Sequence, residues 1–262
     1  QQRGKIEVFH IRLQPIWKHP GESRVHPLMK HALTIDVEDW HSGIPIGSSH
    51  LRSEDYRLKG SMDSLLSILD LHGVKASFFW LGELAVKYPE LVRTVAQAGH
   101  FTDCHGWSHH FACSTDPNTL KEQIYRARSE LQAISGQDVS SYRAPYFSVS
   151  RNSLWILDVV AGLGFTIDSS IFPVLNYRYG IPGFPGHIHE ISTSNGPLCM
   201  APVTTRKAAG VSIPVSGGAY FRIYPYPLTR MNIRHCERKR QPVVFYLHPW
   251  ELDPDHPRVA FC

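Results

Sequence analysis

An α/β fold, with parallel strands and covering helices arranged as a sheet or barrel, is the architecture this sequence predicts. Three observations predict it. Short apolar runs of strand composition alternate with segments of helical period along the chain. Five of the runs end on residues capable of chemistry: Asp36, His105, Arg143, Asp168 and His248. In parallel α/β folds such groups gather beyond the carboxyl ends of the strands, so five endings describe one rim. Finally, 262 residues can bury a large core, and barrels of this length are commonly single domains. Residues 31–262 are accordingly read as one domain, with an irregular region at about 172–240.

The chain is organised around its first strand. From His31 it runs through Ala32, Leu33, Thr34 and Ile35 into Asp36, Val37, Glu38 and Asp39, followed at once by Trp40 and His41. A buried strand that ends in acid delivers charge to a rim, although acidic clusters also cap helices and turns. Residues 41–60 read as a Gly-, Ser- and Pro-containing loop. Ser61 is the expected cap of a helix whose face carries Met62, Leu65, Leu66 and Leu69, stopped at Gly73. Residues 75–81 (KASFFWL) form the next strand, and 83–98 the next helix, interrupted at Pro89. His100–His105 is a short strand.

Asp116-Pro117 is a strong helix start, an N-cap followed by proline at the first helical position. Leu120, Ile124, Ala127, Leu131 and Ile134 supply its apolar face, and Gly136 ends it. Ser141–Ala144 is a brief strand, Ser150 caps a helix through Leu154, Leu157 and Val160, and Phe165–Ile167 is a strand into Asp168. Beyond it, short strands are expected near His187–Ile191 and Val211–Val215, a helix over Pro227–Lys239, and a clear strand at Val243–Leu247.

Charge and composition exclude several classes. The net charge of +4 equals the surplus of six Lys/Arg over two acids in residues 1–30, so the remainder balances and gives no nucleic-acid footprint. No apolar run approaches the ~20 residues of a membrane-spanning helix. Residues 1–30 lack the apolar core and cleavage site of a secretory signal and read as a disordered extension. Met29 is a candidate translation start, an expectation that a mature N-terminus upstream of it would refute. The five cysteines are widely spaced with no CxxC, which indicates neither a disulfide framework nor a cysteine zinc site and favours a reducing compartment, the cytoplasm.

His105-x-x-x-His109 is the sharpest metal signal, two imidazoles that share one face if the segment is a helical turn. A carboxylate from the Asp36–Asp39 rim completes a set of two histidines and one acid, as a hydrolytic metal requires. One rim acid can balance metal charge while another takes a proton from water. Asp36 is assigned the base role, and Glu38 and Asp39 compete for the ligand role. Cys104 alternates away as a core residue, and His110 is read as surface or supporting. A guanidinium at Arg143 can hold a carboxylate ionised, and the turn fixed by Pro145 can aim the Tyr146 backbone N–H at an oxyanion. His248 can protonate a leaving group. Trp40, Trp107, Tyr220 and Trp250 are candidates for stacking on sugar rings or for closing the barrel mouth.

The order of these motifs resembles the NodB-homology polysaccharide deacetylases, carbohydrate esterase family four. It is carried by Thr34-Ile-Asp36-Val-Glu38-Asp39, His105-Gly-Trp-Ser-His109, Arg143-Ala-Pro-Tyr146, Asp168-Ser-Ser and Tyr246-Leu-His248. The variants DVEDW, SYRAPYFS, DSSIFP, GGAYFR and FYLHPWELDP resemble the subgroup associated with exosortase A and bacterial exopolysaccharide clusters. The resemblance covers about residues 31–258. It implies a distorted (β/α) barrel of about seven strands and a divalent metal, with zinc first and cobalt, nickel or manganese as alternatives. It also implies hydrolysis of N-acetyl groups on an amino-sugar polysaccharide or its precursor. By motif match, Asp36 is the base, His105 and His109 are ligands, Arg143 clamps the base, Tyr146 gives the amide donor and His248 is the acid.

Two departures stand out. Val37 separates acids that are adjacent in the usual family segment, which leaves the carboxylate ligand open. The fourth motif carries Ile171 where a second aspartate is usual, so Asp168, Glu190 and Glu251 are the candidate partners of His248. The chain also ends at Cys262 sooner after His248 than the resemblance leads one to expect. Two other readings compete: a related hydrolase of cyclic amides or ureides, and a non-catalytic glycan-binding barrel.

Overall fold

A computed structural model describes residues 31–42, 56–176, 179–208, 210–215, 217–255 and 257. The 1–30 extension with its Met29 start, most of the expected 41–60 loop, and Cys262 lie outside the described residues.

Ten strands and seven helices follow one another from β1 (Ala32–Val37) and α1 (Leu58–Leu71) to β2 (Ser77–Trp80), α2 (Gly82–Lys87), α3 (Pro89–Gln97) and β3 (Phe101–Cys104) among the described residues. Then come α4 (Pro117–Ser135), β4 (Ser141–Tyr142), α5 (Trp155–Gly162) and β5 (Ile167–Asp168). The last third holds β6 (His189–Thr193), β7 (Gly196–Met200), β8 (Thr205–Ala208), β9 (Val211–Pro214), α6 (Gly218–Ile223), α7 (Tyr226–Arg238) and β10 (Val244–Leu247). One eight-stranded sheet runs in the order β10-β1-β2-β3-β4-β5-β7-β6. Its first seven members pair in parallel, and β6 closes the row as an antiparallel hairpin with β7.

Most sequence expectations find their physical counterpart. The Asp116 carboxylate accepts the N–H groups of Asn118 and Thr119, and Gly136 closes α4 at φ +68°, a left-handed cap that a side chain would disfavour. Proline cannot donate inside a helix, so the expected 83–98 helix is two, with Pro89 opening the second. Ser61 is not the cap of α1. The helix begins at Leu58, and the Ser61 hydroxyl donates to the Arg57 carbonyl inside it. The region 172–240 is more regular than its proline and glycine content suggests, because hairpins β6–β7 and β8–β9 and the pair α6–α7 are local structures tolerant of such residues.

Alternation along the strands divides the sheet into two chemically different faces. Outward, Ile35, Val37, Phe78, Trp80, Cys104 and Tyr142 join the main core with Met62, Leu65, Ile124 and Leu131 of the covering helices. Inward, Thr34, Asp36, Phe79, Asp103, Ser141 and Arg143 fill the concave side, all buried. An interior so polar is tolerated only when hydrogen-bonded. Its bonds run across the sheet: Arg143 donates to Thr34, and Thr34 donates to the Phe245 carbonyl.

Candidate active site

Asp36, His105, Arg143, Asp168 and His248 lie at or just past the carboxyl ends of β1, β3, β4, β5 and β10, the strand order that brings them to one rim. Asp36 accepts a hydrogen bond from Arg143 Nη1 at 2.5 Å. The guanidinium is fully buried and also donates to Thr34 Oγ1 at 2.9 Å and, through Nη2, to Ser169 Oγ at 2.8 Å. The rings of Phe79 and Phe147 lie within 4.3 and 5.4 Å of its carbon. A buried cation so surrounded is restricted to one orientation.

β1 ends at Val37, and the chain then turns. Glu38 Oε1 comes within 3.2 Å of His105 Nε2 and 2.9 Å of His109 Nε2. Each imidazole is oriented from its other nitrogen: His105 Nδ1 donates to the Arg143 carbonyl at 2.8 Å, and His109 Nδ1 to the Ser42 carbonyl at 2.9 Å. A carbonyl only accepts, so these contacts assign the proton to Nδ1 in the neutral rings and leave the Nε2 lone pairs facing Glu38. The three donor atoms lie within 4.8 Å of one another, a hard-and-borderline N₂O set that fits a divalent cation of the zinc type. His105 and His109 do not sit on a helical turn as their spacing suggested. Gly106 at φ +85° bends the chain after β3, and residues 107–110 are bends.

Asp39, the other acid that competed for the ligand role, faces elsewhere. Its carboxylate accepts the N–H groups of Trp40, Arg57 and Leu58 at 2.8, 3.1 and 3.3 Å, satisfying the first turn of α1. Glu38 is held ionised. Burial alone would raise its pKa, but the neighbouring His109 and His248 outweigh it and hold it well below the ordinary value. His109 is raised, with burial opposing and Glu38 prevailing.

His248 Nδ1 bonds Glu251 Oε1 at 3.2 Å, and its Nε2 lies 3.9 Å from Glu38. Burial disfavours its charged form, yet Glu38, Glu251 and Asp36 together push its pKa up to about 9. Trp250 stacks on the His248 ring, centroids 5.3 Å apart. Arg222 reaches both, with Nη2 3.5 Å from Glu251 and its guanidinium 5.0 Å from the Trp250 ring. Of the three candidate partners, Glu251 is therefore the one beside His248. Asp168 instead accepts Ser170 N–H and Oγ–H, and Glu190 is exposed on β6.

The Asp168 network has another use. Ser170 Oγ accepts the Ala144 N–H at 2.9 Å, anchoring the turn after β4. That turn places Tyr146 and Phe147 at φ +58° and +50°, a left-handed pair that costs on the order of 1–3 kcal/mol per residue. The Tyr146 ring stacks on Phe111 at 4.3 Å and lies 4.1 Å from the His109 ring.

The remaining aromatic candidates scatter. Trp40 is buried beside His41. Trp107 packs beneath Arg126 of α4 and against Gly82 of α2, where a Cβ would come within 2.6 Å of its ring. Tyr220 packs against the Phe147, Phe172 and Tyr246 cluster. Cys104 is a core thiol that burial pushes up to about 12, and His110 is exposed against Ser108. Sequence reading missed Ser169, Ser170 and Arg222. The two serines stand in the DSS motif and Arg222 closes the GGAYFR variant, but the motifs gave none of the three a role.

Comparison with known proteins bears on the rim from His105 onward, while Asp36 and Glu38 precede both matched segments. The polysaccharide deacetylase family model matches residues 53–167, and that of a domain of unknown function, DUF3473, matches residues 169–261. A peptidoglycan-N-acetylglucosamine deacetylase of Bacillus cereus is 31% identical over 147 residues, covering 51% of this chain. The chain spans about half the length of that relative, 52%. A structure from Mycobacterium smegmatis, assigned only provisionally as a polysaccharide deacetylase, superposes with a TM-score of 0.65 at 20% identity, over 91% of this chain and 84% of the other. Puue allantoinase superposes at 0.59 and 12% identity, over 86% and 80%. At such identities the likeness is one of fold: a curled half-barrel of parallel strands of the NodB type. The rim straddles both matched segments. His105, His109, Arg143 and Tyr146 fall in the first, and Ser169, Arg222, His248 and Glu251 in the second.

Proposed function

Since the family model, the relative and the fold all support a place in the polysaccharide deacetylase family, we propose that this protein hydrolyses N-acetyl groups on amino sugars of a bacterial exopolysaccharide or its precursor, releasing acetate. The observation that carries the reading is the meeting of Glu38 with the Nε2 atoms of His105 and His109, between the Asp36–Arg143 pair and the His248–Glu251 pair. Glu38, His105 and His109 would hold a divalent cation, zinc being the first candidate, which would supply Lewis-acid polarisation of the acetamide carbonyl and acidify the attacking water. Asp36, aimed by Arg143, takes the proton from the attacking water. His248, protonated and oriented by Glu251, gives a proton to the departing sugar amine, so the amide C–N bond breaks without expelling an amide anion. The Tyr146 ring lies 4.1 Å from the His109 ring, which supports an oxyanion donor from its backbone on that side of the rim.

His248 and Glu251 come from the segment matched by the domain of unknown function. On this reading, that segment supplies the acid half of the site and the deacetylase segment supplies most of the metal half. The DVEDW and FYLHPWELDP variants support the exosortase A-associated subgroup. The free thiols of Cys104, Cys113, Cys199 and Cys236 support a reducing compartment.

The test is acetate release from N-acetylglucosamine oligomers by metal-stripped protein, with and without added zinc or cobalt. Release restored by metal and abolished by His105→Ala supports the reading. Metal binding with turnover of hydantoin-like rings and no acetate release would replace it with the cyclic-amide chemistry that the allantoinase fold also houses.

A further inference from the structure

Charge is distributed unevenly over this molecule in a way its net value conceals. Residues 31–262 balance to zero, yet residues 220–240 alone carry six Lys/Arg against the single acid Glu237, a surplus of five. The remainder of the body is therefore acidic by the same amount. The surplus falls on α6, α7 and the two residues that follow.

α7 buries one face, with Thr229, Asn232, Ile233 and Cys236 turned inward, Ile233 and Cys236 against Val215, Val243 and Phe245. Opposite that face, Arg234 and Arg238 are exposed, as are Lys239 and Arg240 beyond the helix. Exposed apolar side chains belong to the same two helices. Ile223 is 72% exposed, Tyr226 52%, Met231 48% and Phe221 39%. Over residues 219–240 every exposed residue is basic, apolar, aromatic, alanine or proline. The neutral hydrogen-bonding side chains of Thr229 and Asn232 are buried, and the one acid is half-buried.

Such a face meets two needs at once. Cations draw it to a negative surface, and aliphatic and aromatic groups gain by leaving water once there. A bare polyanion would satisfy the arginines but leave Ile223 and Met231 in water, and a sugar chain would find the Tyr226 hydroxyl as the main neutral hydrogen-bonding group exposed among the described residues of this face. We propose that the α6–α7 face docks the protein peripherally on an anionic phospholipid bilayer. Arg222 of the same segment touches Glu251 and Trp250 at the rim, so docking brings the mouth of the candidate site to the membrane surface. The proposal stands whether or not the rim deacetylates anything.

Vesicle flotation of the full chain tests it. We expect the protein to float with phosphatidylcholine vesicles containing 30% phosphatidylglycerol and to remain behind with pure phosphatidylcholine. Arg234→Glu with Arg238→Glu is expected to weaken binding roughly tenfold or more, as two lost cations near a charged surface should. Ile223→Ser with Met231→Ser should weaken it severalfold and increase its sensitivity to salt. Arg93→Glu with Lys121→Glu, exposed on α3 and α4 and equal in net charge, should change it little. Circular dichroism and melting temperature verify that each variant is folded. Absence of flotation with the anionic vesicles overturns the proposal, as does equal loss in the α7 and control pairs. So does a soluble acidic glycan such as alginate that binds through the same arginines and displaces the vesicles, because the partner is then a polyanion.

Discussion

Arg143 Nη1 meets Asp36 Oδ1 at 2.5 Å, across the sheet from β4 to β1, with both side chains sealed from water. The pair is held by its surroundings as much as by its charges, since Thr34, Ser169 and two phenylalanine rings complete the guanidinium's contacts. Removing one partner leaves the other charged and buried. Arg143→Ala is expected to destabilise the fold by about 3–5 kcal/mol and to lower acetate release as well. Asp36→Asn should lower release by at least ~100-fold as the base is lost. Chemical denaturation and steady-state rates separate the two, and an active Asp36→Asn would remove Asp36 from the base role.

Glu38 and Asp39 are neighbours with opposite duties, and their substitutions should diverge. Glu38→Gln is expected to reduce zinc affinity by more than the ~10–100-fold typical of a supporting contact. Asp39→Ala should leave zinc affinity near that of the native protein while costing about 0.5–2 kcal/mol of stability, because it strips the first turn of α1 of its acceptor. Calorimetric zinc titration and thermal melts of both variants decide the matter. Loss of zinc with Asp39→Ala alone would reverse the assignment.

Glu251 orients His248 and raises its pKa, together with Glu38. Glu251→Gln removes the charge and keeps the shape, so His248 should lose its proton at lower pH. The alkaline limb of the activity profile is then expected to move toward acid, with kcat falling by roughly 10-fold or more as general-acid catalysis weakens. An unmoved limb would show that Glu251 only packs.

Asp103 lies inside the half-barrel, where burial pushes its carboxyl up to about 7. One oxygen accepts the Ser141 N–H at 3.1 Å, and the other has no hydrogen-bond partner among the described residues. A folded pKa raised above the unfolded value near 3.8 means the folded state favours the proton. The resulting stabilisation is complete below pH ~4 and is lost as pH rises through ~7, where the buried group must ionise. Melting temperatures of Asp103→Asn are therefore expected to exceed those of the native protein by a margin that grows as pH rises from ~4 to ~7 and stays constant above it, with little difference below pH ~4. Parallel pH profiles for the two would show that Asp103 ionises without cost.

Much of this was local and therefore legible in the sequence. The alternation of strands and helices, the Asp116-Pro117 start of α4 and the break at Pro89 follow from backbone chemistry a few residues long. So does the rim itself: once the runs before Asp36, His105, Arg143, Asp168 and His248 are strands of one parallel sheet, their ends must meet. What sequence could not decide depended on which way a chain turns after its strand ends. Glu38 rather than Asp39 faces the imidazoles because β1 stops at Val37 and the start of α1 claims Asp39. The Trp107 ring is held by α2 and α4, in a packed site that no local pattern announces. Glu251 and Arg222 are 29 residues apart in sequence, and only the packing of the α6 segment beside β10 brings their charges to 3.5 Å. Periodicity and spacing fix local conformation, whereas contacts between distant segments are set by how whole layers pack. The list of reactive groups was therefore written in the sequence, and the tertiary structure alone assigned their partners.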